Sequence, residues 1–138
     1  MSRYVITGGA GFIGSHLVDR FLKEGLRVVA IDSLVTGSLS NIDHLKEEPR
    51  FEFIRADVSE KFPDVGKVDG VLHFASPASP IDFEPLALSI LRTGSLGTFH
   101  AIEYAVSQNA WFFMASTSEI YGDPTEHPQK ETYFGNVN

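Results

Sequence analysis

Thr7-Gly8-Gly9-Ala10-Gly11-Phe12-Ile13-Gly14 stands between a β-rich stretch and an amphipathic one, and that placement decides the fold. Upstream, Arg3-Tyr4-Val5-Ile6-Thr7 has the β-branched and aromatic content of a short buried strand. Downstream, Ile13, Leu17 and Phe21 recur at helical spacing with Val18 and Leu22 beside them, predicting a helix with one apolar face. Gly25 falls where that helix would be capped. Gly9, Gly11 and Gly14 fit the G-x-G-x-x-G spacing: one glycine for a tight turn, one for close backbone approach to a pyrophosphate, one for helix–strand packing. A helix starting there offers unpaired N–H groups and its positive dipole end to the anion.

The next strand bears on which nucleotide is held. Leu26 to Ile31 reads as a second strand, and Asp32 stands at its carboxyl end, eighteen residues after Gly14. An acidic residue there accepts hydrogen bonds from the adenosine ribose and repels a 2′-phosphate, which favours NAD over NADP. The plainer reading is that Asp32 begins the following turn, a role Asp often takes.

Beyond it, Ser33 to Asn41 is polar turn, and a short helix is expected through His44 to Glu48 before Pro49. Phe51 to Arg55 reads as a third strand leading into Ala56-Asp57-Val58, and Val68 to Phe74, apolar almost throughout, as a central fourth. Pro77 and Pro80 mark a loop. A long helix is expected from about Glu84 to Gln108, with Leu88, Leu91, Ser95, Thr98, Ile102 and Ala105 in a 3.6-residue rhythm and Gly94 and Gly97 inside it. Ala110 to Ala115 is a fifth strand, and the remainder is Pro- and Gly-punctuated loop. The sum is an α/β, doubly wound parallel sheet in order 3-2-1-4-5, whose ligands bind at the carboxyl ends of the strands.

Composition removes several classes of function. With 138 residues the chain is one domain, and a net charge of −7 without clustered Lys or Arg argues against a nucleic-acid partner. No Cys is present, so disulfides, thiol catalysis and zinc–thiolate sites are excluded. His16, His44, His100 and His127 lack metal-ligand spacing, so no metal is expected. His16, Asp19 and Arg20 interrupt the apolar start, which argues against a signal peptide, and no run of 18 apolar residues predicts a membrane span. A cytoplasmic location is expected.

The opening motif resembles the T-G-x-x-G-x-x-G fingerprint of the extended short-chain dehydrogenases/reductases, the NAD-dependent epimerase/dehydratase family. Asp57-Val58 resembles that family's adenine contact after the third strand. His73-Phe74-Ala75-Ser76 resembles its H-x-A-A/S segment along the cofactor, and Thr117-Ser118-Glu119-Ile120-Tyr121-Gly122 its S/T-rich segment after the fifth strand. The resemblance implies NAD as cofactor, held by Gly8, Gly11, Phe12, Ile13, Gly14, Asp32, Asp57, Val58, Phe74, Ala75 and Ser76.

Ser76-Pro77-Ala78-Ser79-Pro80 and the stretch from Ser116 to Gly122, with Asp123-Pro124 and His127-Pro128, are most similar to the group that decarboxylates UDP-glucuronate. That implies a nucleotide-sugar substrate, a homodimeric full-length enzyme, and catalytic roles for Thr117 at the sugar C4 oxygen and for Ser118 and Glu119 near the C5 carboxylate. Thr117 and Ser118 could equally satisfy backbone groups in their turn, and Glu119 could be a solvated carboxylate. His73 reads as a packed residue rather than a base. A 4-epimerase, a 4,6-dehydratase and a non-catalytic NAD-binding module are the alternatives.

Two departures stand out. Gly94 occupies the place of the Asn in the family's N-x-x-G-T, which puts one cofactor contact in doubt. No Tyr is followed four residues on by Lys, the pair that moves the C4 proton in this family. Residues 1–138 are therefore expected to be the NAD-binding portion of a longer enzyme, inactive alone, with the carboxy-terminal substrate domain lying elsewhere.

Overall fold

The computed structural model describes residues 1–137; Asn138, the last residue of the expected domain, lies outside them. Five parallel strands form one sheet in the order β3-β2-β1-β4-β5. They are β1 (Arg3–Thr7), β2 (Arg27–Asp32), β3 (Phe51–Arg55), β4 (Gly70–His73) and β5 (Trp111–Met114). The expected order is therefore the observed one. Strand β1 pairs with β2 through Val5↔Val29 and with β4 through Val5↔Val71, so its carboxyl end is where the strand order reverses.

Alternation along the central strands fills two cores. Val5, Val29, Ile31 and Val71 point to one face, where Val58, Phe62, Val65, Val68, Ala101 and Ala105 cover them. Ile6, Val28, Ala30 and Leu72 point to the other, beneath Val18 and Leu22 of helix α1 (Phe12–Lys23). Burying each such Val, Leu or Ile side chain contributes about 1.5–3 kcal/mol. Because successive side chains alternate, a one-residue slip would exchange the two faces, and the register is fixed accordingly. Helix α1 ends with the Glu24 N–H on the Arg20 carbonyl, followed by Gly25 at φ 80°, as the sequence predicts.

Three expectations need correction. The short helix through His44 to Glu48 is instead a pair of 3-10 turns, Leu39–Asn41 and Asp43–Leu45, the first started by the Ser38 hydroxyl accepting from the Ser40 N–H. Strand β4 is shorter than Val68 to Phe74: its pairing with β1 runs from Gly70 to His73, closed by the Asp69 N–H on the Arg3 carbonyl and the Phe74 N–H on the Thr7 carbonyl, after which the Ala75 N–H turns to the Thr7 hydroxyl. The long helix from Glu84 to Gln108 is a composite: α2 (Ala87–Arg92), a π-helical turn (Thr93–Gly97) and α3 (Thr98–Ser107).

That wide turn shifts the helical phase, so the stripe buried against the sheet is Thr93, Gly97, Ala101 and Ala105. Leu88, Leu91 and Ile102, counted above in the apolar rhythm, face solvent with Leu96, Phe99 and Val106. The small residues win the inner face because the helix lies close. A Cβ on Gly97 would sit 3.2 Å from the Val58 side chain.

Candidate functional site

The glycine-rich segment forms a tight turn locked to its neighbours by main-chain bonds. The Gly8 and Gly9 N–H groups donate to the Ile31 carbonyl at 2.8 and 3.3 Å, and the Gly11 N–H donates back to the Gly8 carbonyl at 3.0 Å. The residue with positive φ is Gly8 (70°), so the tight-turn role expected of Gly9, Gly11 or Gly14 falls one position earlier. Gly14 is the packing glycine: a Cβ there would lie 2.0 Å from the Gly8 oxygen. At Gly11 a Cβ would meet only that same oxygen, at 3.2 Å, which leaves the space above the turn open.

Helix α1 begins at this point without a capping side chain or an acidic residue in its first turn. The amides of Phe12, Ile13 and Gly14 precede the first intrahelical bond, from the Ser15 N–H to the Gly11 carbonyl. Phe12 and Ile13 expose their side chains, so Ile13 departs from the apolar face expected of it, because the first turn of α1 stands clear of the core; both positions are suited to contact a ligand through backbone and side chain together. Such a bare, glycine-fronted helix start is an anion site.

Asp32 is buried beside it, and both readings of this residue bear on its geometry. One carboxylate oxygen accepts from the Ala10 N–H at 2.9 Å and the other from the Leu34 N–H at 2.8 Å, which fastens the turn after β2 to the glycine segment. A carboxylate has about four acceptor positions, so roughly two remain for hydroxyl donors. Gly37 lies against the same group: a Cβ there would be 2.8 Å from Oδ1.

On the other side, Phe74 and Ala75 run along the turn. A Cβ at Gly8 would meet the Phe74 carbonyl oxygen at 2.8 Å, and both the Phe74 and Ala75 N–H groups reach the Thr7 hydroxyl at 3.2 Å. Ser76 follows, its hydroxyl 3.5 Å from the Pro77 carbonyl. Past β3, the Ala56 N–H donates to the Asp32 carbonyl, bringing Asp57 and Val58 to the same edge. The Asp57 carboxylate accepts from the Ser59 N–H at 2.8 Å. The Val58 side chain is core, and its carbonyl accepts from His100, so its remaining main-chain group for a ligand is the N–H.

The Thr117-Ser118-Glu119 segment leaves the end of β5, where the Ala115 N–H donates to the His73 carbonyl. All three residues are exposed. The Thr117 hydroxyl accepts from the Glu119 N–H at 3.4 Å, starting the 3-10 turn Ser118–Tyr121, which is the backbone role weighed above. Tyr121 stacks on Tyr133 with ring centroids 5.8 Å apart. The Asp123 N–H donates to the Asn136 carbonyl and the Asn136 N–H to the Tyr121 carbonyl, beside the bridge between Gly122 and Asn136.

Behind the cradle, His73 is the packed residue the sequence suggests, and the structure supplies its partners. His73 is buried, with Nδ1 2.8 Å from the Thr7 hydroxyl and Nε2 3.2 Å from the Thr98 hydroxyl. Burial pushes its pKa down to about 4. Asn41 was missed by sequence reading; its amide donates to the Ala10 carbonyl at 2.8 Å. Asn41, in a polar turn, has no local signal that sets it apart from its neighbours.

Two shallow concavities, of about 340 and 360 Å³, lie away from the glycine turn, along α3 and beside α2; the second reaches Asp57. Neither converges on the uncapped helix start, so size alone does not mark the site. Among the described residues no helix is long and apolar enough to cross a membrane, and no three His, Asp or Glu side chains cluster to hold a metal ion.

Residues 5–135 match the family model described as GDP-mannose 4,6 dehydratase. The chain belongs to that family. The membership agrees with the extended short-chain dehydrogenase/reductase fingerprint at Thr7 to Gly14. The dehydratase-family chain is 49% identical over 136 residues to UDP-glucuronic acid decarboxylase 1 of Arabidopsis thaliana, covering 99% of this chain and 31% of that protein. It is 43% identical over 136 residues to UDP-glucuronic acid decarboxylase 1 of Danio rerio, covering 32% of that protein. The dehydratase-family chain thus spans about a third of the length of these relatives.

Among solved structures, a UDP-galactose 4-epimerase superposes with a TM-score of 0.82 at 31% identity, over 97% of this chain and 44% of that one. The dTDP-glucose 4,6-dehydratase of Streptomyces venezuelae, solved with NAD and TYD bound, gives 0.81 at 29% identity, over 95% and 44%.

Proposed function

We propose that residues 1–138 are the amino-terminal NAD-binding portion of a nucleotide-sugar-modifying enzyme, and that its reaction is the decarboxylation of UDP-glucuronate. The observation that carries the cofactor assignment is the bare start of α1: a turn that only glycine fits, amides without a cap, and a buried carboxylate alongside. In this reading the amides of Phe12, Ile13 and Gly14 bind the pyrophosphate, with Gly8 and Gly11 holding the turn open to it. Asp32 accepts from the ribose. Asp57 and Val58 flank the adenine, and Phe74, Ala75 and Ser76 line the path toward the nicotinamide.

The choice of reaction is supported by the 49% identity to a UDP-glucuronic acid decarboxylase, together with the segment after β5. When bound, NAD supplies a recycled hydride store for oxidation at C4 and re-reduction after CO₂ leaves. Thr117 would donate to the C4 oxygen. Ser118 and Glu119 would orient the C5 carboxylate, with Glu119 disfavouring its charge. The Thr117 hydroxyl can keep accepting from the Glu119 N–H while it donates its own proton to the C4 oxygen. Deprotonation at C4 needs a base that this segment does not provide, which supports assigning that step, and the UDP grip, to residues of a longer protein. A 4-epimerase or 4,6-dehydratase would use the same cradle, and a non-catalytic NAD-binding module would use only the cradle.

A homodimer belongs to this reading and draws support from the outward apolar face of Leu88, Leu91, Leu96, Phe99, Ile102 and Val106. A cytoplasmic location also belongs to this reading and rests on the polar interruptions at His16, Asp19 and Arg20 in the apolar start.

Calorimetry with NAD and NADP tests the cofactor. NAD should bind more tightly, and Asp32→Ala should weaken NAD more than NADP. Equal losses would overturn the ribose assignment. Supplying UDP-glucuronate to a protein that continues past Asn138, and measuring CO₂, tests the reaction. Sugar epimerised without CO₂ would favour the 4-epimerase.

A further inference from the structure

His73 links three elements behind the glycine turn, and the hydrogen-bond count fixes how. The Thr7 hydroxyl is fully buried; it accepts from the Ala75 N–H at 3.2 Å and shares the Phe74 N–H, also at 3.2 Å, with the Thr7 carbonyl. A hydroxyl oxygen has two lone pairs and one proton, so with both lone pairs engaged Thr7 must donate to His73 Nδ1, 2.8 Å away. Nδ1 is then an acceptor and carries no proton. The neutral ring has its hydrogen on Nε2, which donates to Thr98 Oγ1 at 3.2 Å. Thr98 is the first residue of α3 and follows directly on the π-helical turn. No buried side-chain polar atom is left unsatisfied among the described residues.

We propose that His73 is a positioning residue: held as the Nε2–H tautomer between Thr7 and Thr98, it aims the Thr7 hydroxyl so that Phe74 and Ala75 are drawn against the glycine turn, and so sets the width of the dinucleotide cradle. This deepens the NAD-binding reading and rests on it. The chain of contacts is short. The Phe74 carbonyl lies where a Gly8 side chain would be, so the two segments are already as close as glycine allows. Burial, which keeps the ring neutral near pH 7, preserves Nδ1 as an acceptor. The Thr98 bond ties the same ring to the helix, so an altered π-helical turn would be felt at the cradle.

The network can be read without any ligand. Imidazole ¹⁵N chemical shifts of the chain should show the Nε2–H tautomer at neutral pH, and a protonated Nδ1 would overturn the proposal. Three variants divide the roles. His73→Asn keeps an acceptor at the Nδ1 position, whereas His73→Gln puts its amide near Nε2 and loses the bond from Thr7. Thr7→Val removes the hydroxyl on which the Ala75 N–H depends and leaves the Phe74 N–H only the Thr7 carbonyl. Amide hydrogen exchange at Ala75 should accelerate at least about tenfold in Thr7→Val and His73→Gln, and less than about threefold in His73→Asn, while Phe74, which keeps the Thr7 carbonyl, should change less.

NAD affinity should follow the same order, and circular dichroism should show all three folded. Equal exchange in His73→Asn and His73→Gln would make the ring a mere space-filler and refute the positioning role. If exchange follows the expected order while the unmodified chain binds no NAD, the cofactor reading fails and the effect on the cradle fails with it. If NAD binds but neither variant changes its affinity, the positioning proposal alone falls.

Discussion

Adding one methyl group at Gly14 should cost this protein much of its stability, whereas a larger group at Gly11 should cost it only the ligand. A Cβ at Gly14 would sit 2.0 Å from the Gly8 oxygen and 2.7 Å from the Gly8 carbon. Ordinary carbon contacts lie near 3.5 Å, so the helix and the turn must separate by roughly 1 Å or more. Both partners are backbone, and no rotamer change can relieve the overlap. Overpacking of this kind costs about 1–3 kcal/mol or more, against roughly 0.5–1 kcal/mol gained by replacing a glycine in a helix. A net loss of about 2 kcal/mol should lower Tm by roughly 6–10 °C in a domain of this size.

Gly11, by contrast, has φ −79° and ψ 179°, which other residues adopt readily, and meets a single 3.2 Å contact. Gly11→Val should melt within about 2 °C of the unmodified chain yet lose at least about tenfold in NAD affinity, because its side chain fills the approach to the turn. Thermal unfolding by circular dichroism and calorimetric titration with NAD read the two effects separately. An unshifted Tm in Gly14→Ala, or unchanged NAD affinity in Gly11→Val, would refute the cradle geometry.

Acid should destabilise the fold through His73. Its folded pKa of about 4 lies below the ordinary 6.5, so the unfolded chain binds the proton first; this contribution is complete above about pH 6.5 and is lost as pH falls toward 4, by at most about 3 kcal/mol. Urea titrations across that range should give a steeper pH dependence for the unmodified protein than for His73→Asn, and identical slopes would exclude His73 as the source. Gly94→Ala should stabilise by about 0.5–1 kcal/mol, since a Cβ there meets nothing within 4 Å, while Gly97→Ala should gain less or lose, because its Cβ meets Val58 at 3.2 Å. Urea midpoints in the reverse order would contradict the packing of α3. Glu119→Gln should leave NAD affinity and stability unchanged in this chain, since the carboxylate is exposed; a calorimetric change above about threefold would place it in the cradle.

The parts of the site legible in the sequence are those governed by local rules. Gly8 to Gly14, the apolar face of α1 and the placement of Asp32 are each set by residues within one strand–turn–helix unit, where spacing translates directly into geometry. The long helix was misread for the opposite reason. Its leucines keep helical spacing, but a π-helical turn at Thr93–Gly97 changes the phase, and the fit of small side chains against Val58 selects the inner face. No local pattern announces such a turn. The segment proposed to be catalytic lies between these cases: Thr117, Ser118 and Glu119 can be located at the end of β5 from sequence, but their bonds are those of a turn.

By itself, the sequence determined the strand order and the edge of the sheet at which ligands gather, because strands alternate with helices along the chain and the near-continuous apolar strands must be covered on both faces. Only the tertiary structure decided that Thr7, His73 and Thr98 meet. Thr7 and His73 are 66 positions apart along the chain, and a hydrogen bond between them exists only once β1 and β4 are paired side by side.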